Sequence, residues 1–316
     1  MVKIAISGAT GGVAQEILDV LASTKTHEII LLSRNAIPPE KLAPGVTSAQ
    51  TTYQSVDELA TILKGVHTVL CFITPQSDPG NTSQKTLIDA AVKAGVKRFA
   101  PSEWASSSFD HMPWYTSKSA IRTYLSDLNN PVQRIEYCLF HVGLFTNYFA
   151  APYKTSAHVH PFQMQWDFHG RRALVVDEAG GGRINLVTVK DFADVVKRAV
   201  EYEGEWPVVG GMKGDVLSVE ELVALGEEIR GPFNIERIPL FDLQKGEFES
   251  SWLPTLDHPA IPAEQRKGLA KGMVAGVLQA VRAGAFEVSD EWNKLLPDMK
   301  FTDAEEFLRG AWEGKE

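Results

Sequence analysis

The stretch that decides the fold is "KIAISGATGGVAQ", residues 3–15. A short apolar run leads into a glycine-rich turn and then into a helix-like segment. In such a unit the glycines let the backbone approach a pyrophosphate closely, while the helix N-terminus supplies free N–H groups and a positive dipole end. The pattern therefore predicts a dinucleotide-binding turn made by Gly8, Thr10, Gly11, Gly12 and Val13. The alternative is a tight turn without a ligand.

The first half of the chain repeats this alternation. Apolar runs typical of strands lie at 3–7, 28–33, 67–73, 98–102 and 135–142. The segments between them are amphipathic and read as helices. Strands that are apolar throughout, separated by amphipathic helices, indicate a parallel sheet covered on both faces. We therefore predict an α/β fold with a doubly wound parallel sheet.

The predicted helix before Gly95 has a signal at each of its two ends. Gly95 ends it as a C-terminal cap, and Thr82 or Ser83 caps its start.

The regular alternation of apolar strands and amphipathic helices ends after Val142. Residues 148–172 show no clean period and are dense in aromatic residues and histidine. "RALVVD" and "RINLVTV" then read as strands joined by the turn "EAGGG". We predict a dinucleotide-binding domain over 1–150 and a substrate-binding lobe over 151–316, with the helix at 188–202 able to return to the first domain.

Composition bounds the class of protein. The 316 residues are 44% hydrophobic and 22% charged, which is ordinary for a soluble chain with one large domain or two lobes. The formal charge of −9 and the lack of a Lys/Arg run argue against nucleic acid as a partner.

The sequence also gives expectations about cellular location and oligomeric state. The N-terminal apolar stretch is too short for a secretory signal, and no run reaches membrane length, so we expect a cytoplasmic protein without a membrane partner. Cys71 and Cys138 lie in apolar runs and read as buried thiols in a reducing compartment. Monomer and homodimer both remain open.

The end of the second predicted strand carries "LLSRN", where Arg34 follows Gly12 by 22 residues. NAD-binding proteins usually place Asp or Glu at this point to bind the ribose. A guanidinium with no acid beside it suits a 2′-phosphate instead. The sequence therefore predicts NADP(H) as the cofactor, held by Arg34 with Asn35. A solvated arginine on a loop is the alternative.

The carboxyl ends of the other strands should line the same cleft. These ends supply further candidate cofactor contacts, which are Phe72, Thr74, Pro75, Pro101, Ser102, Glu103, Val142 and Phe145. The two prolines would stiffen loops beside the cofactor. Glu103 is equally well explained as a carboxylate that caps a helix or orders a loop.

These motifs together resemble a known family. "GATGGVAQ", "LLSRN", "QKTLIDAAVKAGVKRFAPSEW", Lys118 before Ile121–Arg122, and "VGLFTNYF" are similar to the NmrA-like group of atypical short-chain dehydrogenases. Within that group the chain most resembles isoflavone reductases and phenylcoumaran benzylic ether reductases. "SDEWNKLLPDMKFTDAEEFL" is similar to fungal members. The resemblance implies a Rossmann lobe, NADPH, a smaller substrate lobe and a role in secondary metabolism.

"WYTSKSAIR", residues 114–122, holds the candidate catalytic residues. Common short-chain dehydrogenases use a Tyr and a Lys four positions apart, whereas here Tyr115 stands three before Lys118. The reductase branch of the family relies on a lysine without that tyrosine, which the resemblance assigns to Lys118. Such a lysine can donate a proton as the ammonium, or act as a base if desolvation and the cofactor's charge lower its pKa. Tyr115 lies on the same helix face and could assist.

A lysine that only hydrogen-bonds the ribose or faces solvent is the alternative for Lys118. The candidate substrate contacts are Trp104, Asn147, Tyr148, Tyr153, Phe162 and Trp166.

Most of these contacts lie in the 148–172 segment, whose aromatic density argues against disorder. We expect it to form either a flap over the nicotinamide that packs against a flat apolar substrate, or a core between the lobes. His158 and His160 lack carboxylates or thiols at ligand spacing, so no metal site is expected.

The predicted function is NADPH-dependent reduction of a small aromatic or polycyclic metabolite, with hydride passing to an electrophilic carbon. Two other functions fit the same fold. One is an NADP-binding regulator without turnover, and the other is an isomerase or cyclase that retains its cofactor.

Overall fold

The computed structural model describes residues 1–177, 181–256, 264 and 266–316. A six-stranded parallel sheet organises the first half, with strands β1 Lys3–Ser7, β2 Glu28–Ser33, β3 Val46–Gln50, β4 Thr68–Cys71, β5 Arg98–Ala100 and β6 Glu136–Tyr137. Their spatial order is β3-β2-β1-β4-β5-β6. The order reverses between β1 and β4, and ligands of such sheets bind outside the carboxyl ends of the strands at that point. The predicted doubly wound parallel sheet is confirmed.

Helices cover both faces of the sheet, namely α1 Gly12–Ser23, α2 Val56–Ile62, α3 Thr82–Ala94, α4 Thr116–Leu128 and α5 Val189–Glu201. Successive side chains of a strand point to opposite faces. In β1, Ile4 and Ile6 pack in the core beneath α1 and α5, while Ala5 packs in the core beneath α2, α3 and α4.

Helix α5 packs in the core beside β1 and α1, although it follows residue 150. Phe192 and Val196 are buried in the same core cluster as Ile4 and Ile17. We propose that the chain divides near residue 150 and that α5 returns across the boundary to complete the first lobe.

The cap expected at the start of α3 is wrong. Neither Thr82 nor Ser83 caps this helix, which begins after Asn81 in a left-handed conformation. Asp78 does so instead, because two 3₁₀ turns at 75–77 and 79–81 bring its carboxylate back to accept the N–H groups of Ser83 (2.8 Å) and Gln84 (2.9 Å). At the other end the prediction is confirmed, since Gly95 has φ 73°.

Short strands and five further helices make up the rest of the described residues. The strands are β7 Leu139–His141, β8 Leu144–Phe145, β9 Trp166–Asp167, β10 Arg172–Val176, β11 Arg183–Val187, β12 Val209–Gly211, β13 Asp215–Ser218 and β14 Asn234–Ile238. The helices are α6 Val219–Arg230, α7 Leu240–Lys245, α8 Arg266–Arg282, α9 Glu291–Leu295 and α10 Ala304–Trp312.

The predicted strand at 135–142 is in fact two strands, because β6 and β7 are separated at Cys138. Strand β7 pairs in parallel with β12. Strands β10 and β11 form as predicted but lie in different three-stranded sheets, ordered β14-β10-β9 and β13-β11-β8. Residues 178–180 of the turn expected between them lie outside the described residues.

No helix in the described ranges combines the length and the hydropathy that a bilayer crossing requires.

Candidate active site

The glycine-rich turn forms a tight joint between β1 and β4. Gly8 has φ 71°, and a Cβ added there would lie 2.5 Å from the carbonyl carbon of Phe72. Any side chain would force the two strand ends apart. Thr10 and Gly11 are exposed, while Gly12 and Val13 are half-buried at the start of α1. The turn thus leaves the N-terminus of α1 open on one side, as anion binding at a helix N-terminus requires.

The irregular 148–172 segment reaches this same turn. A Cβ added to Gly12 would lie 2.5 Å from the carbonyl oxygen of His158. The N–H groups of His158 and Val159 donate to Glu16 Oε1 at 2.6 and 3.1 Å, and His158 Nε2 lies 2.7 Å from Asp19 Oδ2. We call residues 155–161 the strap. It docks on α1 next to the glycine turn.

Arg34 and Asn35 lie exposed just past the carboxyl end of β2. Asn35 N–H donates to the Ser33 hydroxyl at 3.2 Å, which orders the turn. Gln50 Nε2 donates to the backbone carbonyl of Arg34 at 3.1 Å. Within the described ranges the Arg34 guanidinium makes no hydrogen bond or ion pair, so its five N–H donors remain available to an anion.

Phe72 and Trp104 join the ends of β4 and β5 through a stack. Their ring centroids are 4.6 Å apart at an interplanar angle of 9°, and Trp104 also stacks on Phe140 at 5.1 Å. Trp104 has φ 41°, a conformation that costs an L residue of order 1–3 kcal/mol. Its Nε1 donates to the Cys71 carbonyl at 2.7 Å, which holds the ring in place.

A small pocket lies between the ends of β4 and β5 and the start of α4. Its lining includes Thr74, Pro75, Asn81, Ser102, Ser117 and Lys118. Gln84 Oε1 accepts the N–H of Ser102 at 2.8 Å and fixes one wall. The next residue before Ser102, Pro101, is buried and takes no part in this lining.

Lys118 is buried because it shares the inward face of α4 with Ile121 and Leu125. Its side chain is 8% exposed, and Nζ donates to the carbonyls of Ser102 and, at 2.8 Å, Glu103. Burial lowers its pKa to about 8, with Glu103 opposing and Arg122 adding to the shift. An ammonium has three N–H donors. In the part of the chain that the structure describes, the third donor has no acceptor.

Aromatic side chains from both lobes gather near Lys118. The Lys118 Nζ lies 5.1 Å from the centre of the Tyr115 ring. Burial raises the pKa of Tyr115, and burial together with the neighbouring Tyr115 raises the pKa of Tyr148. The Tyr148 ring contacts Phe162 at 5.9 Å and packs against the cores of both lobes. The half-buried rings of Tyr115, Tyr148 and Phe162, which we call the ring wall, lie at the junction of the two lobes.

Three of the candidate substrate contacts have structural partners instead. Trp166 is 1% exposed in the core of the smaller lobe, which supports the core interpretation for that ring. Tyr153 packs edge-on against Trp312 with ring centres 5.4 Å apart. The side chain of Asn147 accepts the N–H of Val189 at 2.8 Å and donates to Thr155 Oγ1 at 3.0 Å.

Two candidate cofactor contacts are core residues of the first lobe. Val142 is 1% exposed and its N–H donates to the Ala105 carbonyl at 2.7 Å. Phe145 is 6% exposed and its ring packs against Phe192 and Tyr148. Both residues come shortly after β7 in the chain, and their side chains lie in the core beneath the carboxyl edge of the sheet.

Arg122 and His141 are site neighbours that sequence reasoning did not select. Arg122 pairs through Nε and Nη2 with Glu103 Oε2 at 3.0 and 2.6 Å, and Nη2 lies 3.2 Å from His141 Nε2. Glu103 is therefore the loop carboxylate that one interpretation of the sequence expected. Burial and Arg122 lower the pKa of His141 to about 4, so this imidazole is neutral at pH 7. The signal for Arg122 was its position one turn after Lys118 on the same face.

Fold and site together define a Rossmann-type α/β protein with a glycine-rich turn after β1 and a buried lysine at the carboxyl edge of its sheet. The model of the NmrA-like family matches residues 2–308, and the chain belongs to that family. The predicted resemblance is confirmed.

The chain is also similar to individual proteins. The oxidoreductase swnN of Metarhizium robertsii is 24% identical, over 99% of this chain and 98% of that protein. Quinone oxidoreductase 2 of Escherichia coli is 26% identical, over 96% of each chain. Among solved structures, that E. coli enzyme complexed with NADPH has a TM-score of 0.68 at 22% identity, covering 98% of this chain and 99% of the other. An isoflavone reductase also has a TM-score of 0.68, at 21% identity, covering 98% of each chain.

Proposed function

We propose that this protein is an NADPH-dependent reductase of small aromatic or quinone-like molecules, and that Lys118 handles the proton. The observation that carries the proposal is the buried Lys118 ammonium, fixed on two backbone carbonyls at the carboxyl edge of the sheet. Buried lysines with lowered pKa values are typical of acid–base sites. The similar oxidoreductases support the reaction class.

The residues present fit NADP(H). The glycine turn has no room for a side chain at Gly8, and it opens the N-terminus of α1 beside it. The free guanidinium of Arg34 lies at the end of β2, where a dinucleotide-binding sheet places its ribose contact. Bound there, NADPH would supply the hydride. The similar quinone oxidoreductase was solved with NADPH, which agrees with this assignment.

Lys118 supplies the proton that must accompany the hydride. Because its pKa is about 8, Nζ is mostly an ammonium at pH 7. The carbonyls of Ser102 and Glu103 hold two N–H bonds, so the third is the one that can be transferred. It would pass to the oxygen or carbon on which negative charge develops, and the resulting amine would recover a proton from solvent.

The ring wall indicates the substrate class. Tyr115, Tyr148 and Phe162 present half-buried aromatic surface at the junction of the lobes. Flat apolar molecules stack on such surfaces, and their burial excludes water from the site. The names of the similar quinone oxidoreductase and isoflavone reductase point to the same chemistry.

The test is NADPH consumption with a panel of quinones and conjugated aromatic ketones, using wild type and Lys118→Met. We expect turnover of at least one class, and a fall of about 10²–10⁴-fold in the variant with melting temperature and NADPH affinity retained. Near-normal turnover of Lys118→Met would remove Lys118 from the mechanism. NADPH binding without turnover of any compound would favour the regulator instead.

A further inference from the structure

Arg122 joins the α4 helix to the loop that carries the Lys118 acceptors. Its guanidinium contacts the Glu103 carboxylate through Nε and Nη2, and Nη1 donates to the Ser107 carbonyl at 2.8 Å. Nη2 also lies 3.3 Å from the Ser106 carbonyl. The charged carbon is 4.1 Å from the centre of the Phe109 ring. One side chain thus fixes the loop 103–109 at several points.

Glu103 links Arg122 to Lys118 through two different groups. Its side chain, 1% exposed, is the ion-pair partner of Arg122. Its backbone carbonyl accepts one of the N–H bonds of Lys118. Rotation of the 102–103 peptides would move both acceptors of Lys118, so the ion pair and the position of Nζ are mechanically coupled.

This loop contains little secondary structure of its own that could do the same work. Past Pro101, the Glu103 N–H donates to the Pro101 carbonyl at 2.7 Å, the Ala105 carbonyl accepts the N–H groups of Val142 and Gly143, and the Ser107 N–H donates to the Ala285 carbonyl at 2.9 Å. Trp104 in addition holds the unfavourable φ of 41°. A strained segment of this kind persists only where surrounding contacts determine it.

We propose that Arg122 is the positioning residue for Lys118. It holds the 103–109 loop so that the Ser102 and Glu103 carbonyls fix Nζ and leave one N–H for proton transfer. This inference rests on the proposed function. Arg122 acts through Glu103 and the loop backbone, whereas Lys118 alone carries the proton.

The charges around Lys118 make the coupling measurable. Glu103 favours the ammonium and Arg122 disfavours it, while the Cys71 thiol, whose pKa burial raises to about 11, is uncharged where Lys118 titrates. Asp78 lines the same pocket, but its carboxylate is committed to the N–H groups at the start of α3. The remaining neighbour, the Tyr115 ring, carries no net charge. Removing Arg122 should therefore raise the pKa of Lys118, and neutralising Glu103 should lower it.

A second buried pair provides a matched control. Arg98 pairs with Glu136 at 2.9 Å, donates through Nη1 to the Tyr202 carbonyl at 2.6 Å, and lies 5.2 Å from the ring centre of Trp206. Its chemistry repeats that of Arg122, but it lies at the amino ends of β5 and β6, away from Lys118.

The experiment follows the Lys118 side chain directly, without cofactor or substrate. In protein labelled with ¹³C-lysine, the ε-CH₂ signal that is missing from Lys118→Met is titrated by NMR. We expect its midpoint to rise in Arg122→Met, to fall in Glu103→Gln and to stay unchanged in Arg98→Met. With substrate, kcat of Arg122→Met should fall about 10–100-fold with a smaller change in KM, as for a displaced catalytic group.

Arg122→Lys separates geometry from charge. It keeps the positive charge but loses the planar fork, so we expect a midpoint near that of wild type and a lowered kcat. An unchanged midpoint and unchanged kcat in Arg122→Met would overturn the inference, and so would equal shifts in Arg98→Met. If Arg122→Met does not fold, the Glu103→Gln midpoint and the kcat of Arg122→Lys decide the question in the same way.

The same measurements distinguish the two proposals. A midpoint that moves as expected, in a protein whose Lys118→Met variant retains turnover, would contradict the proposed function and leave the positioning intact. A Lys118→Met variant without turnover, in a protein whose Arg122→Met variant behaves as wild type, would contradict the positioning alone.

Discussion

The amino and carboxyl edges of the parallel sheet each contain a buried Arg–Glu pair, and the two pairs differ in what surrounds them. At the amino edge Glu136 accepts from Arg98 and, at 2.5 Å, from the N–H of Trp206. Both of these bonds go to Glu136 Oε1, and at the carboxyl edge Glu103 likewise accepts through one oxygen, Oε2, but its Oε1 lies buried without a partner among the described residues. Among the described residues, the carboxyl-edge pair thus leaves a buried carboxylate oxygen unpaired, which the amino-edge pair does not.

Other buried polar atoms also differ between the two edges in whether they have hydrogen-bond partners. At the carboxyl edge, Ser117 Oγ in the pocket of Lys118 and His141 Nδ1 in the ring next to Arg122 lie buried without a hydrogen-bond partner among the described residues. At the amino edge, His27 Nδ1 is a comparable atom, but its ring is tied to Glu201 through Nε2 at 3.2 Å. Unpartnered buried polar groups are rare and each needs a cause. The comparison indicates that the amino edge is organised for stability and that the carboxyl edge keeps polar groups for ligands.

The largest effect should come from breaking the amino-edge pair. Arg98→Met leaves the Glu136 carboxylate buried without a counter-charge, which typically costs about 3–5 kcal/mol of the free energy of unfolding. Urea unfolding measures this cost. NADPH affinity and kcat of the folded fraction should match those of wild type. The double variant Arg98→Met, Glu136→Gln is the control, because it leaves neither charge unpaired, and its smaller destabilisation would show that the uncompensated charge is responsible. Altered kinetics in Arg98→Met would break the distinction between the edges.

The 148–172 segment contains the same division between stability and binding. Trp166 is buried in the smaller lobe, whereas Phe162 is half-buried in the ring wall. Trp166→Ala should therefore destabilise the protein by about 3–5 kcal/mol.

Phe162→Ala should instead raise KM or lower kcat with little change in melting temperature. Thermal melts beside steady-state kinetics give both quantities. A strongly lowered melting temperature and normal kinetics for Phe162→Ala would assign the whole segment to the core.

The fold was largely predictable because its signal is local. Fully apolar strands and a glycine turn follow from residue types alone, so strands such as β1 and β4 were identified from sequence. Strand β3 was not, because its residues 46–50 lie at the sheet edge with only Val46 buried and carry no continuous apolar run.

The site was less predictable because it depends on tertiary contacts. Lys118 was selected as a candidate from sequence, but its acceptors are backbone carbonyls, which have no sequence signature. Asn147 and Trp166 were typical of a pocket in sequence, yet their partners Val189 and the smaller-lobe core come from distant parts of the chain. The strap contact between His158 and Gly12 spans residues that no local pattern connects.

A smaller effect is expected from substitution of Arg34, the exposed arginine at the end of β2. Arg34→Ala removes a charge-assisted contact and should weaken NADPH binding by about 1.5–3 kcal/mol. NADH affinity should change little, because NADH lacks the 2′-phosphate. Titration of both proteins with both cofactors measures the difference. Equal affinity of the wild type for the two cofactors would exclude Arg34 as the phosphate contact.

The smallest effect is a pH dependence of turnover. Since the pKa of Lys118 is about 8, the ammonium fraction and hence kcat should be about tenfold lower at pH 9 than at pH 7. Tyr115 cannot cause this loss, because burial raises its pKa above its usual range. A kcat that increases through pH 8 would instead assign Lys118 the role of a base.

The structure of the NADP⁺ complex tests the central claim most directly. The account predicts the 2′-phosphate at Arg34, the pyrophosphate at the glycine turn, and Lys118 Nζ within hydrogen-bond reach of the nicotinamide ribose or ring, about 2.6–3.2 Å or one water away. A nicotinamide placed elsewhere, with Lys118 still closed on the Ser102 and Glu103 carbonyls and out of its reach, would contradict the account.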